Sequence, residues 1–242
     1  MKAFRKAILL IHGFAGGSYD YNTLANDLEL YSDFDVFTFT LPGHDKTRIT
    51  HVTKEDWINS AEKQVDKLIK NGYKRIYVIG HSMGGVIACH VAKKYPQVKK
   101  LILASPAFRY FTFKDDKLDI LASLKQTPSL FKDYKPDDVL SRILKLPIHT
   151  TMEFMNLVKD HSNDVKDIYC PILLLWGTHD KIVPIDSIMH VYNKAKSDSI
   201  TLYEIEGVTH DTFRNERYDE VLEIITKFLR NVNLSGKETN KI

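Results

Sequence analysis

The chain has 242 residues, of which 43% are hydrophobic and 27% are charged, and its formal net charge is +3. This length and composition are typical of a globular protein with one large domain, whereas the small net charge does not favour nucleic acid or an anionic membrane surface as a partner. Two cysteines, neither of them in a CxxC pair, are too few for a disulfide framework.

The first apolar run lacks the features of a targeting segment. It covers residues 7–11 before His12 and Gly13 interrupt it, and a signal peptide requires an apolar region of about 7–15 residues. No run is long enough to span a bilayer. We therefore expect a cytoplasmic protein with no stable membrane insertion. A cluster of lysines is interpreted as a solvated helix end rather than a binding patch: Lys93, Lys94, Lys99 and Lys100.

Six short runs rich in apolar, β-branched and aromatic residues predict β-strands. They are KAILLIH (6–12), FDVFTFTL (34–41), RIYVIG (75–80), KKLILAS (99–105), CPILLLWG (170–177) and SITLYEIEG (199–207). The inner runs are apolar throughout, which is typical of parallel strands that are buried on both faces.

Helical patterns separate these runs. They occur at 19–31, 53–72, 186–197 and 216–231, and in the segment that follows Ser82. In the second of them, Thr53 is a candidate N-cap, with Asp56 three residues later, and Gly72 is a candidate C′ residue. Strands that alternate with helices predict an α/β fold with a mostly parallel sheet of about six strands, in which ligands bind beyond the carboxyl ends of the strands.

Residues 108–167 interrupt this alternation. They carry no buried-strand signal, and amphipathic segments around 115–125, 136–145 and 150–161 predict an inserted helical cap, because a structureless loop of this length is rare in a compact domain. Residues 1–107 and 168–232 then form the core. The last residues, 233–242, are polar and are predicted to be a flexible C-terminal tail.

The segment from Gly80 to Gly84, GHSMG, matches the pattern G-x-S-x-G. An apolar strand precedes it and an amphipathic helix follows it, which is the context in which this pattern marks a nucleophile elbow. A sharp strand-to-helix turn strains the residue at its tip, and the glycines allow it because they prevent crowding. We therefore predict that Ser82 is a nucleophile at the positive end of a helix; a structural turn with an incidental serine is the alternative.

A serine hydroxyl is a weak nucleophile and needs a neighbouring base. His210 follows the last predicted strand, and Asp180 lies just beyond the fifth, so the order Ser82, Asp180, His210 matches the serine–acid–histidine order of such folds. Asp180 would hold the tautomer of His210. The alternatives are that Asp180 only caps a turn, or that the adjacent Asp211 is the acid. His81 is expected to point away, because neighbours at an elbow diverge.

The segment HGFAGG (12–17) leaves the first strand and predicts an oxyanion hole. The backbone N–H groups of Phe14 and Met83 would converge on one carbonyl oxygen, and each such donor is typically worth about 10²–10³ in rate. A phosphate-binding loop is disfavoured, because neither GxGxxG nor GxxxxGK[ST] is present. No HExxH-like spacing is present either, so we expect no metal and no cofactor.

Several segments together resemble landmarks of the α/β-hydrolase superfamily, in its order: LLIHGFAGG, LPGH, GHSMGG, GTHDKIVPIDS and GVTHD. The segments around Asp180 and His210 are most similar to those of bacterial carboxylesterases and monoacylglycerol lipases. The resemblance implies that Ser82 is the nucleophile, Asp180 the acid and His210 the base. It also implies that the Phe14 and Met83 amides form the oxyanion hole and that a helical cap shapes an acyl pocket.

We therefore expect a serine esterase that cleaves small carboxylic esters of short-to-medium acyl chains through a covalent acyl-enzyme. Thioester, amide or carbon–carbon bond hydrolysis on the same triad, and a ligand-binding sensor with vestigial hydrolysis, are the alternatives. A homodimer is left open. Five apolar or aromatic residues are candidates for substrate binding: Phe108, Tyr110, Phe154, Ile182 and Val183.

Overall fold

The computed structural model describes residues 5–44, 52–109, 148–231 and 234–242, together with two short strands between 113 and 118. The strands are β1 (Lys6–Ile11), β2 (Phe34–Thr38), β3 (Arg75–His81), β4 (Val98–Ala104), β5 (Phe113–Lys114), β6 (Lys117–Leu118), β7 (Ile172–Gly177), β8 (Ser199–Ile205) and β9 (Gly236–Lys241). The α-helices are α1 (Asn22–Glu29), α2 (Lys54–Lys70), α3 (Met83–Lys94), α4 (Ile148–His161), α5 (Ile185–Lys194) and α6 (Tyr218–Arg230). Two 3-10 turns cover Ser18–Tyr21 and Asp164–Asp167.

Seven of these strands form one parallel sheet in the order β2-β1-β3-β4-β7-β8-β9. β5 and β6 pair with each other and are antiparallel. The strand order reverses between β1 and β3, because β1 connects outward to β2 while β3 lies on its other side. The crevice outside the carboxyl ends of strands at such a switch point is where open α/β sheets bind ligands.

Helices cover both faces of the sheet. Along β1, Leu9 and Ile11 pack into the cluster under α2, α3, α4 and α5, whereas Ile8 and Leu10 pack into the cluster under α1 and α6. All four side chains are 1% exposed or less. The predicted continuous apolar strands are therefore confirmed, and their cause is burial on two sides.

The predicted end signals of α2 are also present in the structure. Thr53 has an extended backbone, and its side chain accepts a hydrogen bond from the Asp56 N–H while the Asp56 carboxylate accepts one from the Thr53 N–H. At the other end, Gly72 has a φ of +93°, which glycine adopts without a steric penalty. This reciprocal cap satisfies N–H groups that would otherwise lack a partner.

Residues 236–241, within the predicted flexible tail at 233–242, form strand β9, so the main sheet has seven strands rather than about six. β9 pairs along its whole length with β8, from Ser199 opposite Gly236 to Glu204 opposite Lys241. Its sequence, GKETNK, is polar because both of its faces are almost entirely exposed. Backbone hydrogen bonds rather than apolar side chains form this edge strand, so hydrophobic periodicity could not indicate it.

Only part of the predicted cap at 108–167 lies among the described residues. The helix predicted around 150–161 is present as α4, whereas the segments around 115–125 and 136–145 lie outside the described residues, apart from the short strands β5 and β6. The division into core and cap stays a prediction. Within the part of the chain that the structure describes, no helix is both long and apolar enough to cross a membrane.

Candidate active site

The turn between β3 and α3 carries Ser82 at the carboxyl edge of the sheet. Its φ of 53° and ψ of −121° lie in a region that residues with a side chain rarely adopt. A Cβ atom on Gly80 would meet the carbonyl oxygen of Gly84, and one on Gly84 would meet the carbonyl oxygen of Ile11. β1, β3 and α3 therefore approach closely enough to force the strained strand-to-helix turn that the pattern predicts.

Asp180 and His210 meet at this edge although they are 30 residues apart. The His210 Nδ1–H donates to Asp180 Oδ2 at 2.9 Å, and both side chains are almost fully buried. The other oxygen, Asp180 Oδ1, accepts the backbone N–H groups of Ile182 and Val183, each at 2.9 Å. The carboxylate is therefore fixed from two sides and holds the imidazole in the tautomer with the proton on Nδ1.

The electrostatic surroundings keep Asp180 ionised. Burial alone would raise the pKa of its carboxyl group, but the charge and hydrogen bond of His210 and the Val183 N–H outweigh that effect, so the pKa is lowered. Asp211, the alternative acid, does not contact the imidazole in this way. Its carboxylate pairs with Arg214 at 2.8 Å, and Arg214 also pairs with Asp20 at 3.1 Å.

One cavity connects the serine and the histidine. Gly13, Phe14, Ser82, His210 and Arg214 are among the residues that line it. His210 Nε2 is buried and makes no hydrogen bond to Ser82 or to any other residue that the structure describes. With the proton on Nδ1, this nitrogen has a free lone pair, and hydrogen bonds of this kind often tighten only when a substrate is bound.

His81 is a residue of the site that the sequence analysis missed. Its Nε2–H donates to the backbone carbonyl of His210 at 2.8 Å, and the two rings lie 4.7 Å apart. Burial and the nearby His210 lower the pKa of His81 to about 4, so the ring is neutral at neutral pH. His81 therefore holds the His210 loop, and only its place inside the GHSMG pattern could have suggested that contact. That its side chain diverges from Ser82 stays a prediction.

The loop after β1 lies directly against the elbow. A Cβ atom on Gly13 would come within 3.0 Å of the Ser82 Cβ, and the next residues form a turn in which the Gly16 N–H donates to the Gly13 carbonyl. His12 orders this loop: its Nδ1–H donates to Gly13 O, and its Nε2 accepts the Leu41 N–H, both at 2.8 Å. Burial and then the neighbouring His44 lower the pKa of His12 to about 3, consistent with a neutral ring that accepts at Nε2. The loop that carries Gly13 and Phe14 thus lies beside Ser82, and the convergence of the Phe14 and Met83 N–H groups stays a prediction.

Four of the five predicted substrate-binding residues lie among the described residues, and none of these four lines the cavity. Phe154 stacks on Phe14 with ring centroids 4.9 Å apart, and Phe108 stacks on His190 at 5.3 Å. Ile182 and Val183 are buried beneath Asp180, where their N–H groups bind its carboxylate. Tyr110 lies outside the described residues. Substrate contact by these residues stays a prediction.

Comparisons with known proteins agree with this geometry. Residues 2–217 match the model of a hydrolase family described as "Serine aminopeptidase, S33". The chain is 25% identical to a carboxylesterase of Bacillus subtilis over 92% of this chain and 93% of that protein, and 27% identical to a putative esterase/lipase 2 of Mycoplasma genitalium over 93% and 90%. A crystal structure of Paleococcus ferrophilus monoacylglycerol lipase superposes with a TM-score of 0.71, at 22% identity over 92% and 93% of the two chains.

Proposed function

Since the chain belongs to the serine aminopeptidase S33 family of α/β hydrolases, we propose that it hydrolyses carboxylic esters with Ser82 as nucleophile, His210 as base and Asp180 as acid. The observation that carries this proposal is the Asp180–His210 hydrogen bond, which leaves His210 Nε2 unpartnered on the same cavity as Ser82. A buried imidazole with one nitrogen fixed and the other free is the arrangement that a serine base requires.

The reaction follows from these positions. Ser82 Oγ attacks the ester carbonyl while His210 Nε2 takes its proton, and the Asp180 carboxylate stabilises the imidazolium that forms. The backbone N–H groups of Phe14 and Met83 donate to the oxyanion. The alcohol leaves with the proton from His210, which yields an acyl-Ser82 ester. A water molecule, deprotonated by His210, then attacks that ester and releases the carboxylic acid.

We propose, more specifically, a carboxylesterase for small esters of short-to-medium acyl chains. The carboxylesterase of Bacillus subtilis and the putative esterase/lipase of Mycoplasma genitalium support the choice of a carboxylesterase, and each aligns over at least 90% of its own length. The acyl chain length stays a prediction. A pocket for the acyl chain beneath residues 108–167 stays a prediction, and so does the cytoplasmic location. The sequence leaves open whether the protein forms a homodimer.

The name of the family raises the question of peptide hydrolysis. An aminopeptidase must bind the α-ammonium group of its substrate, and a carboxylate near the nucleophile is the usual partner for such a charge. The two carboxylates that line the cavity, Asp20 and Asp211, are both ion-paired with Arg214. A free ammonium group would have to compete with that guanidinium, so this cavity favours a neutral ester.

A substrate panel tests the proposal. We would measure hydrolysis of p-nitrophenyl esters from acetate to dodecanoate, of the matching acyl thioesters and of aminoacyl p-nitroanilides, with Ser82→Ala as control. We expect the highest kcat/KM for a short or medium ester, and a loss of at least about 10⁴-fold in kcat for Ser82→Ala.

Two outcomes would contradict the proposal. Preferred cleavage of the anilides or thioesters would replace ester hydrolysis by one of the alternatives. Slow labelling of Ser82 by a fluorophosphonate, together with negligible turnover of every substrate, would instead indicate a ligand-binding sensor. Labelling of Ser82→Ala at the rate of the unchanged protein would remove Ser82 from the mechanism.

A further inference from the structure

A second cluster of titratable side chains lies away from the proposed active site. It combines His90 of α3, His161 at the end of α4, and Asp164 at the start of the 3-10 turn Asp164–Asp167. Asp164 Oδ2 lies 3.1 Å from His90 Nδ1 and 2.8 Å from His161 Nδ1. His90 is eight residues beyond Ser82, or about 12 Å along the helix axis, so the cluster does not contribute to the cavity at the elbow.

The three ligand atoms all lie within 4.8 Å of one another, and the two distances from Asp164 Oδ2 to the imidazole nitrogens, 3.1 and 2.8 Å, are close to those in a coordination sphere. With metal–ligand distances of about 2.0–2.1 Å, neighbouring ligands of a tetrahedral zinc ion lie about 3.3 Å apart. Both Nδ1 atoms already point at one carboxylate oxygen, and the two imidazole rings stand at 82° to each other. A metal ion could therefore replace the protons between these atoms with only small side-chain movements.

The groups around the cluster also suit a metal ligand set. Glu62 Oε1 accepts the Nε2–H of His90 at 2.8 Å, so Nδ1 is the nitrogen of His90 that faces Asp164; zinc-bound histidines usually have such a carboxylate or carbonyl partner. Lys93 binds the other oxygen of Asp164, Oδ1, at 2.8 Å, so Oδ2 is the oxygen that faces the two imidazoles. Lys94 pairs with Glu62 at 2.7 Å.

The cluster is partly open to solvent. The side chains of His90 and His161 are 18% and 19% exposed, which gives an ion a path of entry and leaves room for water as a fourth ligand.

We propose that His90, His161 and Asp164 form a structural zinc site. The ion would tie the end of α4 and the turn that follows it to α3, the helix that begins at the elbow. Zinc fits better than magnesium or calcium, because two imidazole nitrogens and one carboxylate oxygen form a ligand set that those oxygen-seeking cations do not favour. The site is structural, since it lies outside the cavity that Ser82 and His210 share.

The test uses the full chain after treatment with a chelator. We would titrate it with Zn²⁺ against a chromophoric competitor, record the visible spectrum with Co²⁺, and measure the melting temperature with each metal. We expect one equivalent of zinc, the intense absorption bands of tetrahedral cobalt, and a rise in melting temperature of about 5 °C or more at a hundredfold excess over the dissociation constant.

Three variants locate the ion. His161→Asn should lose the zinc equivalent and the cobalt bands, whereas His149→Asn, which changes an exposed histidine on the same helix, should keep both. His210→Asn should also keep both, which separates this site from adventitious binding at the proposed active site. Equal uptake by His161→Asn and His149→Asn would overturn the proposal.

Measurements on the unchanged protein can also contradict the proposal. If it takes up no zinc at micromolar concentration, or if bound cobalt lacks tetrahedral bands, the cluster is only a hydrogen-bonded ion-pair network. That outcome does not depend on whether His161→Asn folds. Neither measurement uses ester hydrolysis, so the zinc site and the proposed function stand or fall separately.

Discussion

Neighbouring residues hold the strained backbone conformation of Ser82 in place by hydrogen bonds. Its N–H donates to the Ala104 carbonyl at 3.0 Å, and its own carbonyl accepts the N–H groups of Gly85 and Ala107 at 2.9 and 3.1 Å. A backbone conformation of this kind costs of order 1–3 kcal/mol and persists only where its surroundings fix it. Three backbone hydrogen bonds do so here, which holds Ser82 at the wall of the cavity.

His81 is predicted to position His210, the proposed base. It binds the His210 carbonyl, so it acts on the reaction only by holding the base in place. His81→Phe keeps a ring against His210 and Phe213 but removes the N–H donor. We expect kcat for a p-nitrophenyl ester to fall about 10-fold with little change in KM, because one hydrogen bond of about 1–1.5 kcal/mol is lost from the positioning of the base.

A conservative variant provides the control for His81. The amide nitrogen of a glutamine reaches about as far as Nε2 of a histidine, so His81→Gln should recover most of kcat. Urea unfolding would be measured on both variants. If His81→Phe lowered only the free energy of unfolding while kcat stayed unchanged, or if His81→Gln were no better than His81→Phe, His81 would be a packing residue and not a positioning residue.

At the scale of elements, a buried lysine joins α6 to the sheet. The interpretation of Lys100 as part of a solvated helix end is wrong: it lies on β4 and is 7% exposed. Its Nζ donates to the carbonyls of Phe228, Leu229 and Asn231 at 2.6, 2.9 and 2.6 Å. The ammonium group thus provides the partners that the last carbonyls of α6 lack, and it lies 5.3 Å from the ring centre of Tyr77.

This lysine predicts a pH dependence of stability. Burial and the neighbouring Lys6 lower the pKa of Lys100 to about 8 from 10.5. Between these two values the unfolded chain binds more protons than the folded one, so the free energy of unfolding rises with pH. Relative to Lys100→Met, we expect the unchanged protein to gain about 2 kcal/mol between pH 7 and pH 9.5 in urea unfolding experiments.

The neighbouring lysine supplies a matched control. Lys99 is exposed on the same strand, so Lys99→Met should follow the pH curve of the unchanged protein. Comparison with both variants removes the effect of tyrosines and other groups that titrate in this range. Parallel curves for the unchanged protein and Lys100→Met would show that burial does not lower the pKa of Lys100.

At the scale of the whole molecule, the elements that could be predicted from the sequence are those in which successive residues are buried. Strands covered on two faces are apolar throughout, so six of the seven strands of the main sheet could be predicted. The elbow could be predicted as well, because close backbone approach requires glycine at Gly80 and Gly84. The chain order of Ser82, Asp180 and His210 followed from the positions of the strands that carry them.

Features made by contacts between distant residues could not be predicted in this way. His90 and His161 are 71 residues apart, and no local spacing joins them into one cluster. Ile182 and Val183 were predicted from their apolar side chains, but the contact they make with Asp180 comes from their backbone N–H groups. Any residue except proline provides such a group, so the residue types could not indicate this contact.

The polar edge strand β9 leads to a prediction for the whole fold. Its backbone covers β8, and Lys241 pairs with Glu204 at 3.2 Å. Each backbone hydrogen bond contributes about 1 kcal/mol, which the cost of ordering each residue, about 1–2 kcal/mol, cancels. A chain that ends at Ser235 should therefore have an unfolding free energy within about 2 kcal/mol of that of the full chain and should keep its esterase kcat/KM.

The larger effect of this truncation should be aggregation. Without β9, the apolar strand β8 becomes an open edge, and unpaired edges associate with one another. Light scattering during heating should show an earlier onset at higher protein concentration for the truncated chain, whereas Lys241→Ala, which keeps the strand and loses only the ion pair, should match the full chain. If the truncated chain scattered no more than Lys241→Ala, protection of β8 would not be the role of β9, and its contribution would be limited to the few backbone hydrogen bonds it makes.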